Sequence, residues 1–289
     1  MIKMGKVGKS IGSALGYVGT YIGGQLLAGA GLAVYANVKV MKEYGTVMDL
    51  GKEAYAEHYQ EVAGGLIGVM VAIAAVITIL FLAILYLASK KNFFEEINLR
   101  KYSPLKALGC VGIGVLIYLT DVGFLSILPE SVLNDYGNSQ VGNLFSQAFG
   151  LAIICNIFAA PILEEIIFRG LICDRLRRGI PTWLAVAISA ALFSLAHGQP
   201  VQMVYTFTMG LILGYIFVRT GSILPTIIIH MANNAASTIL VYSGLGINIT
   251  VFRILAIVSI VALVTIFALV KKSDRKNNRA EVELQTTAA

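Results

Sequence analysis

The 289-residue sequence is poor in charged residues, cysteine and proline. Asp, Glu, Lys and Arg make up 13% of it, whereas a soluble domain usually carries about 25% charged residues, and 57% is hydrophobic. This composition indicates a membrane protein. The three cysteines lie in apolar segments without a C-x-x-C pair, which argues against a disulfide framework or a cysteine zinc site. The net charge of +6 is explained by loop asymmetry, so we expect no nucleic-acid partner.

Long apolar runs predict an all-α fold, a polytopic transmembrane helix bundle of about eight membrane helices, because a spanning helix needs roughly 20 apolar residues. The predicted helices cover 11–36, 62–88, 105–128, 144–175, 181–197, 201–218, 222–243 and 249–270. Four regions follow: N-terminal transmembrane helices and loops (1–143), a helix core joined by very short loops (144–243), a last transmembrane helix (244–272) and a polar tail predicted to be disordered (273–289).

Lys and Arg are concentrated in every second loop, while the intervening loops are acidic or lack basic residues. This alternation fits the positive-inside rule and an even number of spans. It predicts a multi-pass protein of the cell membrane with both termini cytoplasmic. The basic positions are Lys3, Lys6 and Lys9; Lys90, Lys91, Arg100, Lys101 and Lys106; Arg175, Arg177 and Arg178; Arg219; and Lys271, Lys272, Arg275, Lys276 and Arg279.

Three charged residues interrupt the fourth predicted helix, in the sequence Glu164-Glu165-Ile166-Ile167-Phe168-Arg169. Each costs roughly 2.5–3.5 kcal/mol on insertion scales, so such residues usually serve a function. Glu165 and Arg169 are four residues apart on one helix face and can pair. Glu164 is rotated about 100° from Glu165 and has Phe168 at the fourth position, so it remains free to act as a general base.

Two further polar positions lie in apolar helices. Phe193 precedes His197 by four residues, and His230 precedes Asn234 by four, so each pair shares a helix face. At 1.5 Å per residue from the cytoplasmic ends, Glu164, His197, His230 and Asn234 lie about 20, 24, 14 and 20 Å deep. These overlapping depths favour one polar cluster. The competing interpretations are histidines that only pack, a structural Glu165–Arg169 lock, and proton coupling in a transporter.

Together the three positions resemble the motifs of the CAAX prenyl protease and bacteriocin-processing (CPBP) family of intramembrane proteases, E-E-x-x-x-R, F-x-x-x-H and H-x-x-x-N. The resemblance covers roughly residues 144–243, in the expected helix context. A second E-E-x-x-x-R occurs at Glu95–Arg100, in a basic loop instead of an apolar helix, and we interpret it as a coincidence. The first three predicted helices contain none of these motifs.

The resemblance implies hydrolysis of a peptide bond in a membrane-associated protein or peptide, within the lipid bilayer. The expected roles are water activation by Glu164 assisted by His197, and oxyanion stabilisation by His230 and Asn234. Arg169 is expected to hold Glu165 and shape the site. The residues thus expected to form the site are Glu164, His197, His230 and Asn234 as catalytic groups, with Glu165, Arg169 and Phe193 in support.

Members of the family are described as either glutamate-dependent or metal-dependent. Asn is an uncommon zinc ligand and the chain has no H-E-x-x-H motif, so we expect no cofactor. The alternative is Zn²⁺ held by Glu164, His197 and His230. Two other functions remain open: a non-catalytic membrane scaffold or bacteriocin-immunity protein with the same fold, and a proton-coupled transporter. The absence of a convincing internal repeat counts modestly against the transporter.

Overall fold

The computed structural model describes residues 4–137, 150, 153–243 and 248–287, with side chains described as far as Lys272. The described residues form helices and connecting turns without any strand, which confirms the all-α prediction. The helices are α1 (Met4–Glu43), α2 (Val47–Leu50), α3 (Lys52–Gly64), α4 (Ile67–Ser89), α5 (Phe93–Glu96), α6 (Pro104–Leu125), α7 (Glu130–Gly137), α8 (153–177), α9 (Thr182–Leu195), α10 (Pro200–Thr220), α11 (Leu224–Ser243) and α12 (Ile249–Thr287).

Five helices in the described part are long and apolar enough to cross a membrane: α4, α6, α10, α11 and residues Ile249–Lys272 of α12. They coincide with five of the predicted spans to within a few residues. Helix α9 is apolar but shorter. The multi-pass helical bundle is therefore confirmed, while the count of eight spans remains a prediction that depends on α1, α8 and α9.

Helix α1 contains the first predicted span, 11–36, but is not among the five membrane-length apolar helices. Seven glycines and several polar side chains between residues 11 and 36 dilute its hydropathy. The helix nevertheless packs along the bundle against α4 and α8. Tyr21 of α1 meets the ring of Phe168 edge-to-face at 5.3 Å between centroids.

Helix α8 is irregular where the sequence predicts one continuous span from residue 144. Residues 144–149, 151 and 152 of that prediction lie outside the described residues. From residue 153 the backbone runs through a π-helical stretch (Ile153–Ala159), an α-helical stretch (Ala160–Glu164), a second π-helical stretch (Glu165–Cys173) and a final α-helical turn. Pro161 lies at the start of the α-helical stretch, directly after the first π-helical stretch, and its missing N–H removes one backbone hydrogen bond from α8. Such π segments widen the helix and frequently occur at functional sites.

The end of α12 differs from the sequence prediction. The backbone remains helical to Thr287, although the polar sequence 273–289 predicts a disordered tail. Lys, Arg, Glu, Gln and Ala have high helix propensity, so a helix begun by the apolar segment can continue through them. Residues 288 and 289 lie outside the described residues.

Short connections and close contacts hold α8 to α11 together. Helix α10 begins at Pro200, where the side chain of Gln199 accepts a hydrogen bond from the Gln202 amide, and ends at Gly221, whose positive φ of 63° reverses the chain. Its Gly210 lies so near α9 that a Cβ there would approach the Ala190 Cβ to 2.9 Å. This proximity lets α9 and α10 bring their polar residues against α8.

The basic residues of successive loops lie at one end of the bundle. Ser222, before α11, accepts a hydrogen bond from the Arg100 amide at 3.4 Å and donates one to its carbonyl at 3.0 Å. Glu96 of α5 pairs with Arg175 at the end of α8. A Cβ on Gly179 would lie 2.7 Å from the Cβ of Ser10 in α1, so the basic start of α1 reaches the same end.

Candidate active site

The four predicted catalytic residues line one cavity of about 470 Å³. Glu164 reaches it from the α-helical stretch of α8, His197 from the turn after α9, and His230 and Asn234 from α11. Phe193 also contributes to its wall. Glu165 and Arg169 are fully buried behind this wall and are not among the residues that line the cavity. The structure thus gathers the three motifs at one place.

Glu165 is the centre of a buried charged network. Its Oε1 atom accepts a hydrogen bond from Arg169 Nη1 at 2.8 Å, which is the i, i+4 pair predicted from the sequence. The same oxygen lies 3.0 Å from His230 Nδ1. Arg169 also donates from Nη2 to the carbonyl of Gly210 at 3.3 Å. The pair therefore connects α8 to both α10 and α11.

Glu164 lies at the cavity side of this network. About 14% of the Glu164 side chain is exposed, whereas none of the Glu165 side chain is. The closest basic side chain in the described part is His230, whose Nε2 atom is 3.7 Å from Glu164 Oε2. This distance exceeds a hydrogen bond, so Glu164 keeps its lone pairs available to a molecule in the cavity.

Phe193 forms an aromatic platform under the site. Arg169 stacks its guanidinium on the ring, with Cζ 4.4 Å from the centroid. The rings of His197 and His230 meet the same ring edge-to-face at 4.8 and 5.7 Å. A cation and aromatic edges at this separation are attracted to the negative ring face, so Phe193 fixes the relative positions of the three polar side chains.

The hydrogen bonds of the two histidines define their tautomers. His197 Nδ1 lies 2.8 Å from the carbonyl of Phe193, so it must donate, and the neutral ring then has its lone pair on Nε2. His230 Nδ1 lies against Glu165 and donates in the same way. Both neutral rings therefore act as proton acceptors at Nε2, and either becomes a donor there only as an imidazolium.

Asn156, which the sequence does not assign to the site, holds Asn234. The Asn234 amide nitrogen donates to the Asn156 carbonyl at 2.8 Å, and Asn156 donates from its own amide to Thr238 at 2.8 Å. Both Asn156 and Asn234 line the cavity. The signal that could have identified Asn156 is its isolation as the single polar side chain between Leu151 and Leu163.

Three further cavity residues come from helices without any motif. Asp121 of α6 accepts a hydrogen bond from Asn233 at 3.4 Å, and Tyr21 and Gln25 of α1 line the wall shared with Glu164. Asp121 could have been assigned to the site from the sequence, because it is the single acid in the third predicted helix. Nothing in the glycine-rich sequence of α1 marks Tyr21 or Gln25, because their role depends on how α1 packs against α8.

The second E-E-x-x-x-R sequence lies away from the cavity. Its Glu96 pairs with Arg175, approaches Arg178 to 3.6 Å and lies 4.0 Å from Lys91. Neither Glu95 nor Arg100 lines the cavity. This sequence anchors the loop before α6 to the end of α8.

The alternative zinc ligands are not arranged as a metal site. Within the described residues no three His, Cys, Asp or Glu side chains are grouped so that they could hold a metal ion. His230 uses Nδ1 for Glu165, and its Nε2 atom lies 3.7 Å from Glu164 Oε2. Two ligands of one tetrahedral zinc ion with bonds of about 2 Å lie about 3.3 Å apart, so this pair alone is compatible with zinc, and His197 would have to be the third ligand. That third ligand is not grouped with the other two.

The fold and cavity define a multi-pass helical membrane protein with a buried carboxylate–histidine site. Residues 146–236 match the family model described as "Type II CAAX prenyl endopeptidase Rce1-like". The matched segment runs from before α8 into α11 and includes all three motifs. The resemblance predicted from Glu164, His197, His230 and their neighbours is therefore confirmed over this segment.

A Bacillus subtilis (strain 168) protein named "Putative membrane peptidase YdiL" is 33% identical over 88 residues. The match covers 30% of this chain and 36% of that relative, so the chain spans about a third of the relative's length. No solved structure matches the chain. Both similarities concern peptidases, and both are confined to part of the chain.

Proposed function

We propose that this protein is an intramembrane endopeptidase that hydrolyses a peptide bond of a membrane-associated protein or peptide with water activated by Glu164. The observation that carries the proposal is the convergence of Glu164, His197, His230 and Asn234 on one cavity from three separate helices. The match of residues 146–236 to a CAAX endopeptidase family supports the reaction class.

Glu164 is the general base in this mechanism. Its carboxylate is the acid of the motif that faces the cavity, whereas Glu165 is committed to Arg169 and His230. A water molecule between Glu164 and the substrate carbonyl loses its proton to Glu164 as the oxygen attacks the carbonyl carbon. The proton then passes to the leaving amine, which restores the carboxylate. His197, with its Nε2 lone pair free, assists by orienting the water.

His230 and Asn234 stabilise the tetrahedral intermediate. The Asn234 amide donates to the Asn156 backbone carbonyl at 2.8 Å and lies 3.4 Å from the Asn156 side-chain oxygen. Release of the longer contact lets the second amide hydrogen point to the oxyanion. His230 donates from Nε2 only as an imidazolium, since the hydrogen on its Nδ1 atom is directed at Glu165. Donors held in place by the protein are effective because they need no reorganisation during the reaction.

The direct test is cleavage of membrane-associated model peptides by the purified full-length protein, with Asn234→Ala beside the wild type. We expect Asn234→Ala to lower the rate by about 10²–10³-fold if it donates to the oxyanion. Chelators are expected to leave the wild-type rate unchanged. Reversible inactivation by a chelator, with bound zinc lost in His197→Ala and His230→Ala, would replace the glutamate mechanism by a metal mechanism.

A scaffold or immunity protein with the same fold gives a different outcome. Its cellular phenotype would survive Glu164→Ala, His197→Ala and the double variant whenever the protein inserts at normal levels. An endopeptidase loses the phenotype in all three. The cavity favours the enzyme, because a scaffold has no need for a carboxylate and two histidines gathered around one cavity.

We further propose that both termini lie in the cytoplasm. Three approaches, of Gly179 to Ser10, of Glu96 to Arg175 and of Ser222 to Arg100, bring these basic loops to one end of the bundle, which the positive-inside rule assigns to the cytoplasm. Reporter fusions at Ser139 and Lys276 should therefore report opposite sides of the membrane. Reports from the same side would show that the number of spans between them is even.

A further inference from the structure

The described lining of the cavity contains acidic side chains but no Lys or Arg to balance their charge. Among the described residues that line it, Asp121 and Glu164 are the acids, and none is Lys or Arg. The internal segments outside the description, 138–149, 151–152 and 244–247, contain no Lys or Arg either. Glu164 has an assigned role in the proposed reaction, whereas Asp121 has none. Asp121 is therefore available to bind a group of the substrate.

Asp121 is poorly satisfied by its protein neighbours. It lies on α6, seventeen residues after Pro104, inside a helix of membrane length. Its one hydrogen bond among the described contacts comes from the Asn233 amide at 3.4 Å, and no basic side chain in the described part lies within ion-pair distance. Carboxylates at membrane depth normally pair with a cation or mark a ligand pathway.

Aromatic side chains surround the same part of the cavity. Tyr118 is on α6 one turn before Asp121, and Tyr136 of α7 and Tyr205 of α10 also line the wall. The hydroxyl oxygens of Tyr136 and Tyr205 are 2.6 Å apart, so this hydrogen bond joins α7 to α10 beside the cavity. A carboxylate accompanied by tyrosine rings is the chemistry that receives an ammonium or guanidinium group.

We propose that Asp121 is the anionic group of a substrate subsite that binds a cationic group near the scissile bond. This inference rests on the proposed peptidase function and adds the substrate class to it. Asn233, the partner of Asp121, directly precedes Asn234 on α11, so a cation bound at Asp121 places the peptide beside the catalytic residues. The cation is the side chain of Lys or Arg, or a free α-amino group.

The test compares membrane-anchored peptides that differ at one position near the cleavage site, with Lys, its uncharged isostere norleucine, or Glu. The purified full-length protein should have a kcat/KM for the Lys peptide at least about tenfold above that for norleucine, since a charge-assisted hydrogen bond is worth about 1.5–3 kcal/mol. Asp121→Asn should reduce this ratio towards one. Glu130→Gln, which removes an exposed acid from α7, should leave the ratio as it is in the wild type.

Peptides with a free or an acetylated N-terminus separate the two sources of charge. A preference that follows the side chain identifies a Lys or Arg subsite, and one abolished by acetylation identifies an α-amino subsite. An unchanged Lys-to-norleucine ratio in Asp121→Asn would overturn the proposal, as would equal loss of cleavage for both peptides. If Asp121→Asn does not insert into the membrane, Tyr118→Leu should lower the ratio by about threefold, because it removes a ring from the same wall.

Binding to Glu164→Gln separates failure of the subsite from failure of the proposed function. Fluorescence anisotropy of a labelled Lys peptide should show tighter binding than the norleucine peptide, and adding Asp121→Asn should remove the difference. A preserved difference in binding without any cleavage by the wild type would reject the peptidase but retain the cation subsite. Equal binding of the two peptides to Glu164→Gln would reject the subsite itself.

Discussion

Glu164→Gln is expected to reduce peptide cleavage by about 10²–10⁴-fold, the range that a general base contributes, with little loss of folded protein. The amide retains the shape of the carboxylate but cannot accept the proton of the attacking water. Folding should be preserved because Glu164 makes no hydrogen bond to the described part of the protein, and its closest basic neighbour there, His230, is 3.7 Å away. The measurement is kcat/KM on one model peptide, with insertion and thermal stability recorded in the same preparations.

Glu57→Gln is the matched control. Glu57 is an exposed acid of α3 outside the cavity, so its amide variant should keep wild-type activity and stability. A Glu164→Gln variant that cleaves at the wild-type rate would exclude Glu164 as the base. An inactive variant that also melts well below the wild type would instead assign a structural role to Glu164.

The grouping of the candidate site residues can be predicted from the sequence because its main determinants are local. The four-residue spacing of Glu165 and Arg169 places both on one helix face whether the turn is α-helical or widened, and the observed 2.8 Å contact confirms that pair. The overlapping depths of Glu164, His197 and His230 likewise follow from helix length alone. Their presence around one cavity agrees with that simple estimate.

The parts that the sequence does not predict depend on packing between distant segments. The contact of His230 with both glutamates requires the orientation of α11 against α8, which no spacing within either helix determines. Tyr21 reaches the cavity because α1 packs on Phe168. The π-helical stretches of α8 also cannot be predicted from the sequence, because the apolar residues around them are equally compatible with a regular α-helix.

The buried Glu165–Arg169 ion pair is expected to contribute strongly to the stability of the fold. Glu165→Gln is expected to destabilise the protein by about 3–5 kcal/mol, since removing one partner of a buried pair leaves the other charge uncompensated. Arg169 has about 1% of its side chain exposed and its remaining contacts, the Gly210 carbonyl and the Phe193 ring, carry no full negative charge. The measurement is the free energy of unfolding in detergent or lipid.

A double-mutant cycle with Arg169→Met identifies the cause. Glu165→Gln with Arg169→Met should cost less than the sum of the single variants, because no unpaired charge remains. The exposed pair Lys39–Glu43, with the same i, i+4 spacing at 3.9 Å and 40% and 50% exposure, is the control. Glu43→Gln should change stability by no more than about 1 kcal/mol. If Glu165→Gln costs no more than Glu43→Gln, the buried pair is not what joins α8 to α10 and α11.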